Sequence, residues 1–325
     1  METWVPLAVG FFLLVLGGEL LVRGAVRIAT RLGVSPLVIG LTLVGFGTSM
    51  PELVTSVQAA LSGSPGIAYG NIVGSNIANI LLIFGVSALI TPIAVASGAL
   101  KRDGAVMVAV AVLFVVLGLT MPFGRVVGIL FLLGLVTYVF VAFRQESGGV
   151  TAHGAVYDKA AATQEADPAL IPKPADSQAL ATPLLIAAVG LGCVVVGGYF
   201  LVEGAVNLAR AFDISESVIG LTIVAVGTSM PELVTSVMAA IRKESEVAFG
   251  NIIGSNIYNI LGIGGATALL APTEVPAEIL GFDNYVMLAA SVLVIALAYT
   301  GRIISRVEGA VLALCYAIYV AWLWP

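Results

Sequence analysis

Charge is what this sequence has least of. Asp, Glu, Lys and Arg together make up 10% of its 325 residues, where a soluble domain carries about 25%. Almost no segment sets a charged face against an apolar stripe, which excludes a soluble helical bundle. Histidine is nearly missing. The single His153 lies in a polar stretch without metal-ligand neighbours. Cysteine is scarce too. Cys193 and Cys315 both sit inside apolar runs, which suits packing better than a disulfide or a thiolate metal site. With a net charge of -5, the chain has no basic field suited to nucleic acid. Only Met1-Glu2-Thr3 precede the first apolar run. They supply no basic n-region, and no Ala-x-Ala-like processing site follows, so that run reads as a membrane span.

What fills the chain is apolar. Hydrophobic residues are 59% of it and the mean hydropathy is +1.09. Many runs reach the roughly 20 residues that cross a bilayer as a helix. They cover residues 4–21, 34 through the first motif below, 67–90, 105–119, 126–143, 183–209, 218–240, 247–270, 285–300 and 307–324. The expectation is an all-α polytopic membrane protein of ten transmembrane helices. Residues 144–180 differ, being rich in Ala, Pro and charge. That composition reads as a poorly ordered linker, and residues 150–175 are expected to be dispensable for the work of the spans. The expected organisation is a first repeat over 1–143, a polar linker over 144–180, and a second repeat over 181–325.

The repeats are visible as motifs. Gly47-Thr48-Ser49-Met50-Pro51-Glu52 returns 180 residues later as Gly227-Thr228-Ser229-Met230-Pro231-Glu232. Gly70-Asn71-Ile72-Val73-Gly74-Ser75-Asn76 returns at the same offset as Gly250-Asn251-Ile252-Ile253-Gly254-Ser255-Asn256. Five spans per repeat, an odd number, force the second copy into the opposite orientation. Loop charge agrees. With the N-terminus outside, twelve of the fourteen basic residues fall on the inner side, leaving Arg125 and Arg210 outside. That is the asymmetry of cytoplasmic loops. Discounting Lys159 and Lys173, which share the linker with acidic residues, the split is ten against two. Both termini should face out and the linker should be cytoplasmic.

Inverted repeats with interrupted helices form a transporter architecture, in which the breaks free backbone carbonyls for cations. Pro51 and Pro231 predict breaks in helices two and seven, and the polar first halves of helices three and eight suggest breaks there as well. A carboxylate in hydrocarbon is costly unless paired, and no Lys or Arg of the spans stands near Glu52 or Glu232. A transported cation should neutralise them. The remaining donors, Thr48, Ser49, Ser75, Asn79, Thr228, Ser229, Ser255 and Asn259, are all hard oxygens, suited to Ca²⁺ or Na⁺. Glycines 70, 74, 250 and 254 read as packing residues. Asn71, Asn76, Asn251 and Asn256 fit either ion binding or bracing. Glu19, one turn from Arg23, and Glu308, near Arg306, have no repeat equivalents and read as interfacial.

These motifs resemble the calcium/cation antiporter superfamily, in particular the bacterial calcium/sodium antiporters and the archaeal sodium/calcium exchanger. The resemblance covers nearly the whole chain outside the linker. It implies ten helices in two inverted halves, ions held among helices two, three, seven and eight, and helices one and six sliding to alternate access. It implies Ca²⁺ liganded by Glu52 and Glu232. Thr48, Ser49, Thr228 and Ser229 would give oxygens to sodium or calcium, Ser75 and Ser255 would be outer sodium ligands, and Gly45 and Ala225 would offer carbonyls. Asn79 matches a family asparagine. Asn259 departs from an aspartate in the archaeal exchangers, and two carboxylates alone favour two Na⁺ per Ca²⁺. The implied activity is exchange of Ca²⁺ for Na⁺ across a prokaryotic cytoplasmic membrane, with H⁺ as the alternative coupling ion. Neither an enzyme activity, a bound cofactor nor an obligate protein partner is expected.

Overall fold

The computed structural model describes residues 4–32, 45–95, 100–147, 155–171 and 181–324. The described residues are mainly helical: α1 Trp4–Arg31, α2 Met50–Leu61, α3 Pro65–Ile90, α4 Leu100–Thr120, α5 Arg125–Ser147, α6 Ala155–Ala166, α7 Ala181–Phe212, α8 Glu216–Thr228, α9 Met230–Ile241, α10 Ser245–Leu270, α11 Ile279–Gly301 and α12 Arg306–Leu323. Among the described residues eight helices are long and apolar enough to cross a membrane. The count is nine if the bent pair α8 and α9 forms one span. Residues 34–44, where the second span was expected to begin, lie outside the described residues.

The offset of 180 residues that relates the motifs also relates the elements: α2 to α9, and α3 to α10. The turn after α2 closes at Gly63 with φ +78°, and the equivalent turn at Lys243 with φ +63°. A glycine meets that left-handed conformation freely, whereas Lys243 adopts it at a cost of about 1 kcal/mol.

The helices differ sharply in burial. The apolar windows of α3 and α10 are 83% and 89% buried, against 22% for α5 and α12. So α3 and α10 form the centre, while α5 and α12 turn apolar faces outward, where only lipid suits them. Both central helices were expected to be broken, and neither is. Each runs on through a seven-residue stretch of wider π-type hydrogen bonding, Ala78–Phe84 and Tyr258–Gly264. Asn79 and Asn259 fall within these wider turns, and no proline stands there to remove a donor.

Helices α1 and α7 lie against each other along a seam of glycines. A Cβ placed at Gly10, Gly17 or Gly24 would stand 2.6–2.7 Å from a backbone nitrogen of α7, and Gly190, Gly197 and Gly204 meet α1 in the same way. Only the absence of side chains lets these backbones approach so closely. A short antiparallel ribbon, Ile93–Ala94 with Ile303–Ile304, ties the two halves together beyond the helices.

The linker departs from expectation. Its helix α6 packs into the molecule, with Ala155, Ala160, Ala162 and Lys159 buried. Glycines on the partner face make this possible, because Gly250 and Gly254 leave room for Asp158 and Lys159 of α6.

Candidate functional site

Each glutamate is the third residue of its helix, behind a proline. Proline in the first turn costs nothing, since its missing N–H would have no partner there. The turn before it is broken at Ser49 (φ -87°, ψ 7°) and at Ser229 (φ -84°, ψ 9°). In the second copy the helices on either side of the break meet at 50°. These are the interruptions that the prolines led us to expect. A carboxylate in the first turn also faces the positive end of its helix dipole.

All twelve sequence-derived residues are buried: Glu52, Glu232, Thr48, Thr228, Ser49, Ser229, Ser75, Ser255, Asn79, Asn259, Gly45 and Ala225. The two motifs are brought together reciprocally. Ser49 Oγ donates to Glu232 Oε1 at 3.0 Å, and Ser229 Oγ donates to Glu52 Oε1 at 2.9 Å. The second oxygen of each carboxylate, Oε2, has no hydrogen-bond partner among the described residues. Asn79 Nδ2 donates to Asn256 Oδ1 at 3.3 Å, while Asn79 Oδ1 and both polar side-chain atoms of Asn259 are likewise unpartnered. Buried oxygens left over in this way suit a cation, because an unpaired buried acceptor is otherwise costly. Gly45 opens the short turn before the first break, and the Ala225 carbonyl accepts from Ser229 N at 3.1 Å.

The asparagines divide by role. Asn71 Nδ2 donates to the Glu52 carbonyl at 3.2 Å and to Ser56 Oγ at 2.9 Å. Asn251 Nδ2 repeats this with the Glu232 carbonyl at 3.4 Å and Ser236 Oγ at 2.7 Å. Both therefore brace the glutamate-bearing helices. Asn76 Nδ2 turns back to the Ile72 carbonyl at 2.7 Å, on its own helix.

One residue of the site was missed. Lys159 Nζ donates to Ser255 Oγ at 2.6 Å and Thr48 Oγ1 at 2.7 Å, and lies 3.3 Å from Glu232 Oε1. Its side chain is fully buried. The expectation covered only Lys and Arg of the spans, and what changes is that a transported ion is not the one cation available to the glutamates. Lys159 comes from the linker, not from a span, and composition cannot place a linker residue in the core. Outside this centre, Glu19 pairs with Arg23 one turn on within α1, and Glu308 caps α12 by accepting from Ser305 N at 2.7 Å.

A cavity of about 430 Å³ lies between α1 and α6 and reaches Thr48, with Glu19, Thr163 and Asp167 also on its wall. Among the described residues no cluster of three or more His, Cys, Asp or Glu could hold a resident metal.

The profile of the family described as sodium/calcium exchanger protein matches residues 3–144 and 182–324. The sodium/calcium exchanger MaX1 of Methanosarcina acetivorans is 36% identical over 337 residues, covering 97% of this chain and 96% of that protein. The inner membrane protein YrbG of Escherichia coli is 35% identical over 297 residues, covering 88% and 86%. Among solved structures, the sodium-calcium exchanger NCX_Mj soaked with Na⁺ and Sr²⁺ superposes with a TM-score of 0.62 at 31% identity, covering 99% of each chain. The chain is an all-α polytopic membrane protein, a transporter and not an enzyme, and it belongs to the sodium/calcium exchanger family.

Proposed function

We propose that this protein is a secondary antiporter that exchanges Ca²⁺ for Na⁺ by alternating access. The observation that carries this reading is the reciprocal pair of buried carboxylates, each held through one oxygen by the other motif's serine and left with a second oxygen unpartnered. Glu52 and Glu232 are the central ligands of Ca²⁺. Thr48, Ser49, Thr228, Ser229, Ser75, Ser255, Asn79 and Asn259 supply further oxygens, with the carbonyls of Gly45 and Ala225. Both cations compete for one anionic site, so loaded forms cross and the charged empty form crosses poorly, which couples the two fluxes.

The architecture we infer is ten helices in two inverted five-helix repeats, 1–143 and 181–325, joined by the 144–180 linker. The common offset of motifs and element bounds supports it. We place both termini outside a prokaryotic inner membrane and the linker in the cytoplasm. In support, the linker touches Arg23 and Arg242, two of the basic residues that charge asymmetry assigns to the inner face.

The test is a flux measurement in proteoliposomes. Ca²⁺ efflux should require an opposing Na⁺ gradient and stop when choline replaces Na⁺. Flux that survives choline and follows a pH gradient assigns H⁺ as the coupling ion. Downhill current without countertransport makes the protein a channel and overturns the proposal.

A further inference from the structure

Glu232 already has a cation beside it, and the chain itself supplies it. We propose that α6 is a tethered competitor for the transported cation: the Lys159 ammonium occupies the second-half part of the site, and an incoming cation must displace it and its helix. The proposal rests on the cation-site reading above.

Lys159 sits where an ion would. Its nitrogen faces three oxygens, of Thr48, Ser255 and Glu232, at 2.6–3.3 Å. All three belong to the candidate set derived from the motifs alone. One ammonium cancels one of the two carboxylate charges, whereas one Ca²⁺ cancels both. The divalent ion therefore has the electrostatic advantage in a buried site, where unbalanced charge is costly.

The two halves show what Lys159 interrupts. In one, Asn71 Oδ1 accepts from Thr228 Oγ1 at 2.9 Å and from Ser75 Oγ at 3.4 Å. The equivalent residues in the other are Asn251, Thr48 and Ser255. There the two hydroxyls serve Lys159, and Asn251 Oδ1 has no partner among the described residues. A second arrangement, already displayed by the first half, is thus open to these side chains once Lys159 leaves.

The helix is built to seat and to leave. Asp158 lies over Gly250, and Lys159 over Gly254, so the groove has room for α6 where any larger residue would intrude. The equivalent glycines, Gly70 and Gly74, are covered by Gly220 and Leu221 of α8. The fastenings of α6 and its continuation are polar and loosen towards its C-terminal end: Asp103 Oδ2 accepts from Ala155 N at 2.9 Å in a buried contact, whereas Arg23 Nε donates to Asp167 Oδ2 at 2.8 Å in a half-buried one and Arg242 Nη1 donates to the Glu165 carbonyl at 3.2 Å at an exposed edge. Only the exposed contact of Arg242 exchanges with water at little net cost, so release would begin at the C-terminal end of α6.

The experiment uses the full chain in proteoliposomes. Lys159→Met should lower the apparent KM for Ca²⁺ with the maximal rate retained. A competitor seated in nine of ten molecules corresponds to a shift of about ten-fold. An unchanged or raised KM in protein of wild-type thermal stability overturns the proposal. A second readout leaves Lys159 in place: Ala162→Cys, with Cys193 and Cys315 replaced, labelled by a charged maleimide. Saturating Ca²⁺ should speed the labelling, and equal rates with and without Ca²⁺ count against displacement. Glu232→Gln in the Lys159→Met background separates the two readings. Persistent transport there removes Glu232 from the cation site. Lost transport, with Lys159→Met alone behaving as wild type, removes only the competitor.

Discussion

Ser229 Oγ lies 2.9 Å from Glu52 Oε1, joining the second motif to the carboxylate of the first across 177 residues of chain. Glu52→Gln keeps the shape and can still accept from Ser229, but it removes the charge. We expect near-complete loss of Ca²⁺ transport from Glu52→Gln and equally from Glu232→Gln, with both proteins still inserted. Ser229→Ala should be milder. A hydrogen bond to a charged group contributes about 1.5–3 kcal/mol, so Ca²⁺ affinity should fall by about ten-fold or more. Isotope flux and direct Ca²⁺ titration check both. Wild-type transport by either glutamine variant would remove that residue from the site.

Gly70 and Gly250 are equivalent in sequence and unequal in surroundings. A Cβ at Gly70 meets the Gly220 backbone at 2.9 Å, inside the packed centre. A Cβ at Gly250 meets Asp158 on the linker helix. Gly70→Ala should therefore lower thermal stability by about 1–3 kcal/mol through overpacking. Gly250→Ala should leave stability near wild type and raise the apparent Ca²⁺ affinity by dislodging α6. Thermal unfolding in detergent and flux assays, read side by side, check the contrast.

The far end of α6 makes its docking sensitive to pH. Burial, with Glu244 close by, pushes the Glu165 carboxyl up to about 7 from its ordinary 4.5, against the opposing pull of Arg242. The docked helix thus holds this proton more tightly than the released one. Its contribution to docking is complete below about pH 4.5 and is lost as the pH rises through about 7. Apparent Ca²⁺ affinity should rise across that window. Glu165→Gln should flatten this part of the profile, and an identical profile in the variant would refute the linkage.

Asn259 is buried with neither polar side-chain atom partnered among the described residues. Asn259→Asp would add a third carboxylate where the present chain has two. If charge limits Na⁺ occupancy, the variant should depend more steeply on Na⁺ and shift its reversal potential from two towards three Na⁺ per Ca²⁺. A three-to-one ratio already present in the wild type would sink the charge count while leaving exchange intact.

The glutamates and hydroxyls were legible in the sequence because their chemistry is local. A carboxylate, a proline and two hydroxyls recur within one turn at a fixed offset, and burial in a membrane leaves such groups few alternatives. Lys159 was not legible. Its partners lie 111, 96 and 73 residues away. Its surroundings in sequence are polar, and polarity is the usual mark of chain that stays outside. What lets α6 in is the room that Gly250 and Gly254 leave for Asp158 and Lys159, a fit of shapes that composition does not record. The breaks expected in α3 and α10 failed for a related reason. Gly and Asn permit an interruption without requiring one, whereas proline requires it.

The glycine seam between α1 and α7 makes two helices, one from each half, into a single stiff member. With backbones in close approach at four levels, Leu7 with Gly204, Gly10 with Gly197, Gly17 with Gly190 and Gly24 with Ala187, almost no side-chain layer separates them. Arg23, on α1, holds Asp167 just beyond α6 at 2.8 Å. If the paired helices move to open the site, that ion pair would draw on the segment that carries Lys159, so the displacement admitting a cation would also pull on its rival.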